Sequence, residues 1–476
     1  MTRVNRAALI SAFVAAVVAH SAALAAPQSS GNTAQSSSSS ESAIEEVVVT
    51  GSRIKRTEFT SASPVLIITS EETSLEGLLS TSEILQTNTL AAGSQQINDQ
   101  TTGFVTENGP GANTVALRGI GSSRTLLLLN GRRLSPAGAR GQLASVDLNV
   151  IPSSIVQRTE ILKDGASSVY GSDAIAGVVN LITNKNLDEG RLSASANSVF
   201  DGGGETQLFS ASWGKVWDNA NFSVSYEYFN RDPMLVGDRD FLSCAQDLLT
   251  NVTQNPNSIF YSTAGQSLDI IDPATGQSKC FNLLDAVADR LQRGGRFVPD
   301  STAVAGGGAF GLDLAGWKRV GLTYAQVLGA RPTLTPAQAL QAWRDSQAIV
   351  PNDPKRFLSR TFISPVERNS VFAEGSYTLS DSAKVYGEAL YNKRESAQKS
   401  WRQLFPNIAA ANPSNPFGEI ARSIVTIPTN QEQEVEFKRA VVGITGEWSS
   451  GFLDGWSYDA YIQRAESDAT YVNDII

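Results

Sequence analysis

The sequence predicts a mixed α/β domain followed by a long antiparallel β-sheet of the barrel type. Within residues 53–188, short apolar runs and apolar residues at helical spacing are separated by glycine-containing turns. From about residue 190 the helical spacing disappears, and apolar residues alternate with polar ones. Several of these alternating segments are much longer than an ordinary strand of about five or six residues. The two patterns place a domain boundary between residues 188 and 190.

The composition limits the classes of function that the chain can serve. The 476 residues carry a formal net charge of -9 and only 18% charged side chains, which argues against a nucleic-acid partner. The single histidine, His20, lies in an N-terminal segment that we expect to be removed. A chain without histidine holds no Ser-His or Cys-His catalytic pair and no histidine-ligated metal. The sequence therefore predicts no enzyme, no metal site and no cofactor.

The N-terminal segment has the three parts of a secretory signal peptide. Arg3 and Arg6 supply a positive start, residues 7–18 are apolar, and residues 23–25 read Ala-Leu-Ala, a small-x-small cleavage site. The alternative is an uncleaved anchor helix, but the apolar stretch is short against the roughly 20 residues that span a bilayer. Residues 1–25 are therefore predicted to be a cleaved signal peptide.

A flexible tether and one short extended segment follow. Residues 26–43 are rich in serine and form a predicted polar linker. Residues 44–52 contain three consecutive valines, which favour a strand. Such a strand on a tether can add itself to the edge of a partner's sheet; alternatively, it is the first strand of the following domain. The candidate partner-binding residues are Glu45, Glu46, Val47, Val48, Val49 and Thr50.

The elements of the α/β domain follow from local patterns. Residues 64–72 combine a short apolar strand with acidic residues suited to a helix N-terminus. The leucine spacing predicts helix across much of 74–87, and residues 91–113 have the composition of a loop. Further along, residues 158–162 and 178–182 are predicted strands.

The run TLLLLNGRR at 125–133 is the most informative part of this domain. Its four leucines are too few to span a bilayer, and without alternation they predict a strand that is covered on both faces. Asn130-Gly131 is a strong signal for a two-residue hairpin, so a second strand begins at Arg132. The arginines on either side of the leucines mark either an anionic site or strand ends that face solvent.

The second half of the chain predicts about seven strands joined by connections of two kinds. The strands lie near 191–199, 205–217, 220–230, 367–380, 382–401, 431–449 and 454–474. Tight turns join the second strand to the third, the fourth to the fifth and the sixth to the seventh, whereas residues 231–366 and 402–430 are long excursions. Long loops on one side and short turns on the other are typical of an outer-membrane barrel. The fold class predicted for residues 190–476 is an antiparallel transmembrane β-barrel; a soluble β-sandwich shares the alternation but not the strand lengths.

The first long excursion contains both cysteines of the chain, Cys244 and Cys280. In an exported protein an even pair favours one disulfide, which we expect to form on the extracellular side. Two free thiols are the alternative.

Three stretches resemble the TonB-dependent outer-membrane receptors. EEVVVTGSRI at 45–54 is similar to their energy-coupling segment, the TonB box. VALRGIGSSRTLLLLNGRRL at 115–134 and IPSSIVQRTEILKDGASSVYGSDAIAGVVNLIT at 151–183 are similar to core motifs of their plug domain. The resemblance implies a plug at 53–188 inside a barrel of about 22 strands, of which about seven are present here. It gives the coupling role to residues 45–50 and places Arg118 inside the barrel, paired with an interior carboxylate or solvated.

The predicted function is TonB-dependent active uptake of a scarce ligand of the siderophore, cobalamin or carbohydrate class. The implied partners are the TonB protein, outer-membrane lipid and that small ligand. A passive porin and a secreted β-sandwich binding protein are the alternatives, but a porin needs neither plug nor box. Seven strands do not close a barrel, and the terminal YVNDII differs from the aromatic strand that the resemblance implies. We therefore expect an N-terminal fragment of a longer receptor.

Overall fold

The computed structural model describes residues 65–91, 110–137, 146–242, 287–448 and 451–474, with short gaps at 293–294, 309, 321, 323, 337, 340–341 and 343–357. The chain divides into two units, Met1–Glu46 and Val47–Ile476, and every described residue belongs to the second. The predicted signal peptide, linker and TonB box lie outside the described residues, as do Cys244 and Cys280. Within the described ranges, no helix is both long and apolar enough to cross a membrane.

A five-stranded sheet forms the centre of the α/β domain. Its strands are β1 (Val65–Thr69), β2 (Thr125–Leu129), β3 (Arg132–Arg133), β4 (Val156–Leu162) and β5 (Gly177–Thr183), arranged β1-β4-β5-β2-β3. β2 and β5 are parallel, and the other neighbours are antiparallel. All five residues of β2 are buried, which confirms the prediction from the leucine run. The turn after β2 uses Asn130 and Gly131 at φ 53° and 78°, as a type I′ hairpin requires.

Short capped helices flank this sheet. α1 (Ser70–Leu75) and α2 (Thr81–Gln86) each begin with a capping box, in which a Ser or Thr and a Glu three residues later cap one another. The sequence predicted helix across much of 74–87, and that prediction is wrong at its centre. Gly77 adopts a positive φ of 72° and ends α1. α3 (Ser167–Tyr170) is a single turn that precedes β5.

A seven-stranded antiparallel sheet, here called the wall, occupies the second half of the chain. Its strands are β6 (Gly190–Asn197), β7 (Thr206–Trp217), β8 (Ala220–Arg231), β9 (Val366–Ser380), β10 (Ala383–Gln398), β11 (Gln431–Glu447) and β12 (Ser457–Asn473). Each strand pairs with its neighbours in sequence, and the strands lie where the alternation predicts them. The wall is open, with β6 and β12 at its edges, so the described residues do not close into a barrel. The expectation of about 22 strands stays a prediction.

The wall buries its polar face and exposes its apolar face. In β8, Ser223, Ser225 and Glu227 point toward the α/β domain and are buried. Phe222 and Tyr226, on the opposite face, are 43% and 38% exposed. Exposed apolar residues on the same outer face of other strands include Trp213, Trp217, Val371, Tyr377, Leu379, Val442 and Ile462. A soluble sheet with one wet face shows the reverse arrangement.

The two long connections contain β-structure of their own. Strands Val287–Arg290, Arg296–Pro299 and Trp317–Val320 of the first connection join Trp401–Leu404, Asn407–Ile408 and Ala421–Pro428 of the second in one six-stranded sheet. Met234–Leu235 and Thr361–Ile363 pair where the first connection leaves and re-enters the wall. α4 (Tyr324–Ala330) lies between them in sequence. The described parts of the two excursions therefore share one sheet beyond the same end of the wall.

Candidate functional site

Arg132 of the α/β domain forms an ion pair with Glu388 of the wall. Arg132 begins β3 directly after the Asn130-Gly131 turn, and its side chain is only 8% exposed. Nη1 of Arg132 lies 2.9 Å from Oε1 of Glu388 on β10. Oε2 of Glu388 lies 2.9 Å from Nη1 of Arg439 on β11, and Nδ2 of Asn130 donates a 3.0 Å hydrogen bond to Oε1. Glu388 therefore binds two arginines, one from each part of the molecule.

Two tyrosine rings cover the guanidinium of Arg132. Its Cζ lies 4.5 Å from the ring centroid of Tyr386 and 5.0 Å from that of Tyr461. Oδ2 of Asp459 lies 3.5 Å from Nη2 of Arg132, and Oδ1 accepts a 2.5 Å hydrogen bond from the hydroxyl of Tyr386. We call Tyr386, Glu388, Asp459 and Tyr461 the arginine cage. Cation–π contacts add about 0.5–2 kcal/mol each to the ion pair, depending on how far the cation is desolvated.

A second charged cluster joins Asp147 of the α/β domain to Arg394 of β10. Oδ2 of Asp147 lies 2.9 Å from Nε of Arg394, and both side chains are fully buried. The backbone oxygen of Pro110 accepts hydrogen bonds from Arg394 Nη1 at 3.2 Å and from Ser396 Oγ at 2.7 Å. Oδ1 of Asp147 accepts from the backbone N and from Nδ2 of Asn149, at 3.1 and 2.8 Å. This cluster fixes Pro110 and Asp147 of the α/β domain against the wall.

A third cluster is centred on Glu227 of β8. Its Oε1 lies 3.0 Å from Nη2 of Arg368 on β9, and both side chains are fully buried. Oε2 of Glu227 accepts hydrogen bonds from Ser154 N at 2.8 Å and from Ser153 Oγ at 3.1 Å. Arg368 also donates to Oδ1 of Asn149 at 3.2 Å. A wall carboxylate thus caps the short helical turn that leads into β4, as the exposed amides at such a turn favour.

Apolar contacts fill the space between the charged clusters. The core of the α/β domain is continuous with three inward-facing residues of the wall, Phe372, Leu390 and Phe437. The ion pairs beside these contacts are buried, so solvent screens them little. Under those conditions the loss of one partner of a buried pair costs about 3–5 kcal/mol, since the other charge stays behind.

Arg118, the residue that the resemblance placed inside the barrel, is held within the α/β domain. Its Nε donates to the backbone oxygen of Ala176 at 3.1 Å, and its Nη2 to that of Ile175 at 3.0 Å. No carboxylate among the described residues pairs with it. A contact between Arg118 and the wall stays a prediction, and Arg132 makes the arginine contact that the structure shows.

The charged residues that join the two parts were not identified from the sequence. The arginines beside the leucine run were left open between an anionic site and solvent-facing strand ends. Arg132 binds an anion, Glu388, whereas Arg133 is about half exposed and pairs with Asp173. The hydrogen bond from Arg133 lowers the pKa of the Asp173 carboxyl, and the hydrogen bond from Ser172 lowers it to a smaller extent.

The polar residues in the alternation of the wall include some that are fully buried, such as Glu227 and Arg368, because the α/β domain covers them. Their positions in the alternation were visible in the sequence, but nothing local to those strands indicates what lies against them. In the excursions, Trp317 packs edge-on against Phe417 with ring centroids 5.1 Å apart.

One family model matches the chain. Residues 57–178 match the TonB-dependent Receptor Plug Domain. The match runs from just before β1 into β5 and contains Arg118, Arg132 and Asp147. It confirms the resemblance that the two plug motifs indicated, whereas the TonB box at 45–50 lies outside the match and stays a prediction. The matching family is one of receptors and not of enzymes.

Solved structures with a similar chain course share little sequence with this protein. A mutant of the ferric enterobactin receptor PfeA from Pseudomonas aeruginosa, in complex with enterobactin, is 14% identical with a TM-score of 0.34, over 87% of this chain and 56% of that one. BauA, the ferric preacinetobactin receptor from Acinetobacter baumannii, is 12% identical with a TM-score of 0.37, over 88% of this chain and 49% of that one. The siderophore receptor PirA from Acinetobacter baumannii is 14% identical with a TM-score of 0.32, over 85% of this chain and 54% of that one. The chain spans about half the length of these structures.

Proposed function

We propose, from the identification of residues 57–178 as a TonB-dependent receptor plug domain, that this chain is part of an outer-membrane receptor for active uptake. The observation that carries the proposal is the position of the plug. It covers the polar face of the wall, while the apolar face is exposed. In this proposal the plug blocks the lumen at rest, and TonB, powered by the inner-membrane proton gradient, moves it to admit a ligand.

The outer face of the wall supports a place in a bilayer. Near the tight turns this face is apolar and aromatic, with Trp217, Phe222 and Tyr377 exposed. Toward the long connections it is charged, and Nζ of Lys393 lies 3.0 Å from Oε1 of Glu395. An apolar band that ends in a charged zone is the pattern a bilayer requires of a barrel exterior.

The boundary between the apolar and the charged zone of the outer face favours strands that are tilted in the bilayer. Tyr228, Asn369, Lys393, Glu436 and Asp468 stand in register across β8 to β12, all on the outer face. This row is aromatic at one end and charged at the other. A bilayer parallel to the row would hold Lys393 and Tyr228 at the same depth. Strands tilted by about 35–45°, as in transmembrane barrels, place Tyr228 deeper than Asp468.

Two alternatives fit the arrangement less well. A soluble β-sandwich buries the apolar faces of its sheets against each other, and this wall exposes its apolar face. A passive porin needs an open lumen, whereas here three buried charged clusters hold a folded domain against the inner face. Both observations favour a plugged receptor.

The partner proposals follow from the family. We propose that residues 45–50 pair with TonB through backbone hydrogen bonds, that residues 1–25 direct export, and that Cys244 and Cys280 form a disulfide in the first extracellular excursion. The ligand class stays at the three that the resemblance implies: a siderophore, a cobalamin or a carbohydrate.

Uptake in matched strains tests the proposal. Cells that produce the full-length receptor of which this chain is proposed to be part, with and without TonB, are given a labelled ferric siderophore, cobalamin or oligosaccharide. We expect one class to accumulate, and only in the strain with TonB and a proton gradient. Equal accumulation in both strains contradicts active transport and favours a porin. Recovery of the protein without detergent contradicts the membrane location.

A further inference from the structure

We infer that the arginine cage is a cation-binding site of the wall itself, selective for guanidinium groups and filled at rest by Arg132 of the plug. All four members of the cage belong to the wall: Tyr386 and Glu388 lie on β10, and Asp459 and Tyr461 on β12. The plug contributes the occupant and one hydrogen bond, from Nδ2 of Asn130 to Glu388. A site built in this way persists when its occupant leaves.

The contacts of Arg132 concentrate on the terminal guanidinium. Nη1 binds Glu388, Nη2 lies near Asp459, and the rings of Tyr386 and Tyr461 cover the plane. Nε of Arg132 is buried and makes no hydrogen bond within the described part of the chain. The cage therefore recognises the end of the side chain and not its arm. A free guanidinium or alkylguanidinium ion presents the same planar end.

The cage is preorganised without its occupant. Arg439 holds one oxygen of Glu388 at 2.9 Å, and the hydroxyl of Tyr386 holds one oxygen of Asp459 at 2.5 Å. Two carboxylates at the edge and two rings over the faces suit a flat, weakly hydrated cation. A compact, strongly hydrated ammonium ion fits this arrangement less well.

A path from solvent leads to the cage. Tyr386, Glu388 and Asp459 line a polar cavity of roughly 410 Å³ between the plug and the wall, together with Asn130, Lys185 and Lys384. A small cation in this cavity reaches the cage when Arg132 is absent. The inference rests on the proposed function for one step alone, the exit of Arg132 during uptake, which would open the cage to a guanidinium-bearing ligand. Guanidinium binding itself does not depend on transport.

Removal of the Arg132 side chain tests the site directly. The Arg132→Ala chain in detergent is unfolded by heat with guanidinium chloride at low millimolar concentration, far below its denaturing range, against sodium chloride of equal ionic strength. We expect guanidinium and methylguanidinium to raise the Tm of the variant in a saturable way. Ethylammonium should bind roughly tenfold more weakly, and urea, a neutral molecule of the same shape, should have no effect.

Arg133→Ala is the matched control, because it removes an arginine from the same hairpin but outside the cage. Saturable stabilisation of Arg132→Ala, with none for Arg133→Ala or the wild type, supports the inference. The inference is overturned if guanidinium fails to stabilise Arg132→Ala, or stabilises Arg133→Ala equally.

Labelling of the wild-type chain gives a second measurement if Arg132→Ala does not fold. Phenylglyoxal followed by mass spectrometry should modify Arg133 and leave Arg132 protected, and Tyr461→Leu should speed modification of Arg132 severalfold. An equally protected Arg132 in Tyr461→Leu contradicts the cage. Loss of TonB-dependent uptake with guanidinium binding intact counts against the proposed function and not against this site.

Discussion

Oδ2 of Asp147 and Nε of Arg394 lie 2.9 Å apart, with both side chains fully buried. Asp147 belongs to the plug, and Arg394 belongs to the wall. Among the described residues, this pair joins a plug carboxylate to a wall arginine, whereas at Glu388 the signs are reversed. The plug is therefore held by opposite charges at different heights of the same strand, β10.

Asp147→Ala should lower the free energy of unfolding by about 3–5 kcal/mol, because Arg394 is then a buried charge without its partner. Denaturant titration of the chain in detergent measures the change. The double variant Asp147→Ala/Arg394→Met should be less destabilised than the sum of the single variants. As a control, Arg191→Ala breaks an exposed pair with Glu189 at the wall edge and should cost less than about 1 kcal/mol. Equal losses for Asp147→Ala and Arg191→Ala would contradict the buried pair.

Gly111→Ala should loosen the plug from the wall. Gly111 has a φ of +73°, and a Cβ there would lie 2.6 Å from Cβ of Ser396 on β10. Gly131 is the matched control, since its φ is +78° but a Cβ there would meet no atom within 4 Å. Gly131→Ala should cost roughly 1–2 kcal/mol from backbone strain alone, and Gly111→Ala clearly more. An equal decrease of Tm in both variants would show that the close approach of Gly111 to Ser396 does not affect stability.

In the full-length receptor, Val48→Pro should abolish energised uptake while it leaves ligand binding at the cell surface intact. Proline removes one backbone donor and restricts Val47, so a strand paired with TonB is disrupted. Val48→Ala keeps the donor and should be milder. The two readouts, uptake and surface binding, are measured separately on intact cells. Unchanged uptake in Val48→Pro would leave these valines with a structural role alone.

Cys244 and Cys280 should resist alkylation in exported protein prepared without reductant. A disulfide leaves neither thiol free, and mass spectrometry after denaturation should find both unmodified. In the entropic model, closure of a loop of this length contributes roughly 4 kcal/mol to stability. Two alkylated cysteines in folded material would contradict the bond.

Local patterns in the sequence were sufficient to predict the positions of the strands. Leu126 to Leu129 predicted a strand covered on both faces, and Asn130-Gly131 predicted its hairpin, because both signals come from residues adjacent in sequence. The alternation of Phe222, Val224, Tyr226 and Tyr228 likewise predicted which residues of β8 share a face. Which face is buried depends on a second domain and was not predictable from the strand itself.

The interface could not be predicted for the same reason. Arg132 and Glu388 are separated by 256 positions in sequence, and they meet only where the plug packs against the wall. Periodicity describes neighbours on one element and carries no information about pairs between elements. The helix predicted across much of 74–87 is interrupted for a local reason. Gly77 adopts a left-handed backbone conformation that ends the first helix.

The three charged clusters differ in what remains after the plug departs. Glu388 keeps Arg439, and Glu227 keeps Arg368, so both wall carboxylates stay neutralised. Arg394 keeps no carboxylate among the described residues, since its partner there is Asp147 of the plug. Without the plug, the positive charge of Arg394 would thus lose this carboxylate and face the position that Asp147 occupied. If the plug moves during uptake, as the proposed function requires, we expect the attraction between Arg394 and Asp147 to favour its return, so that only the displacement of the plug needs energy.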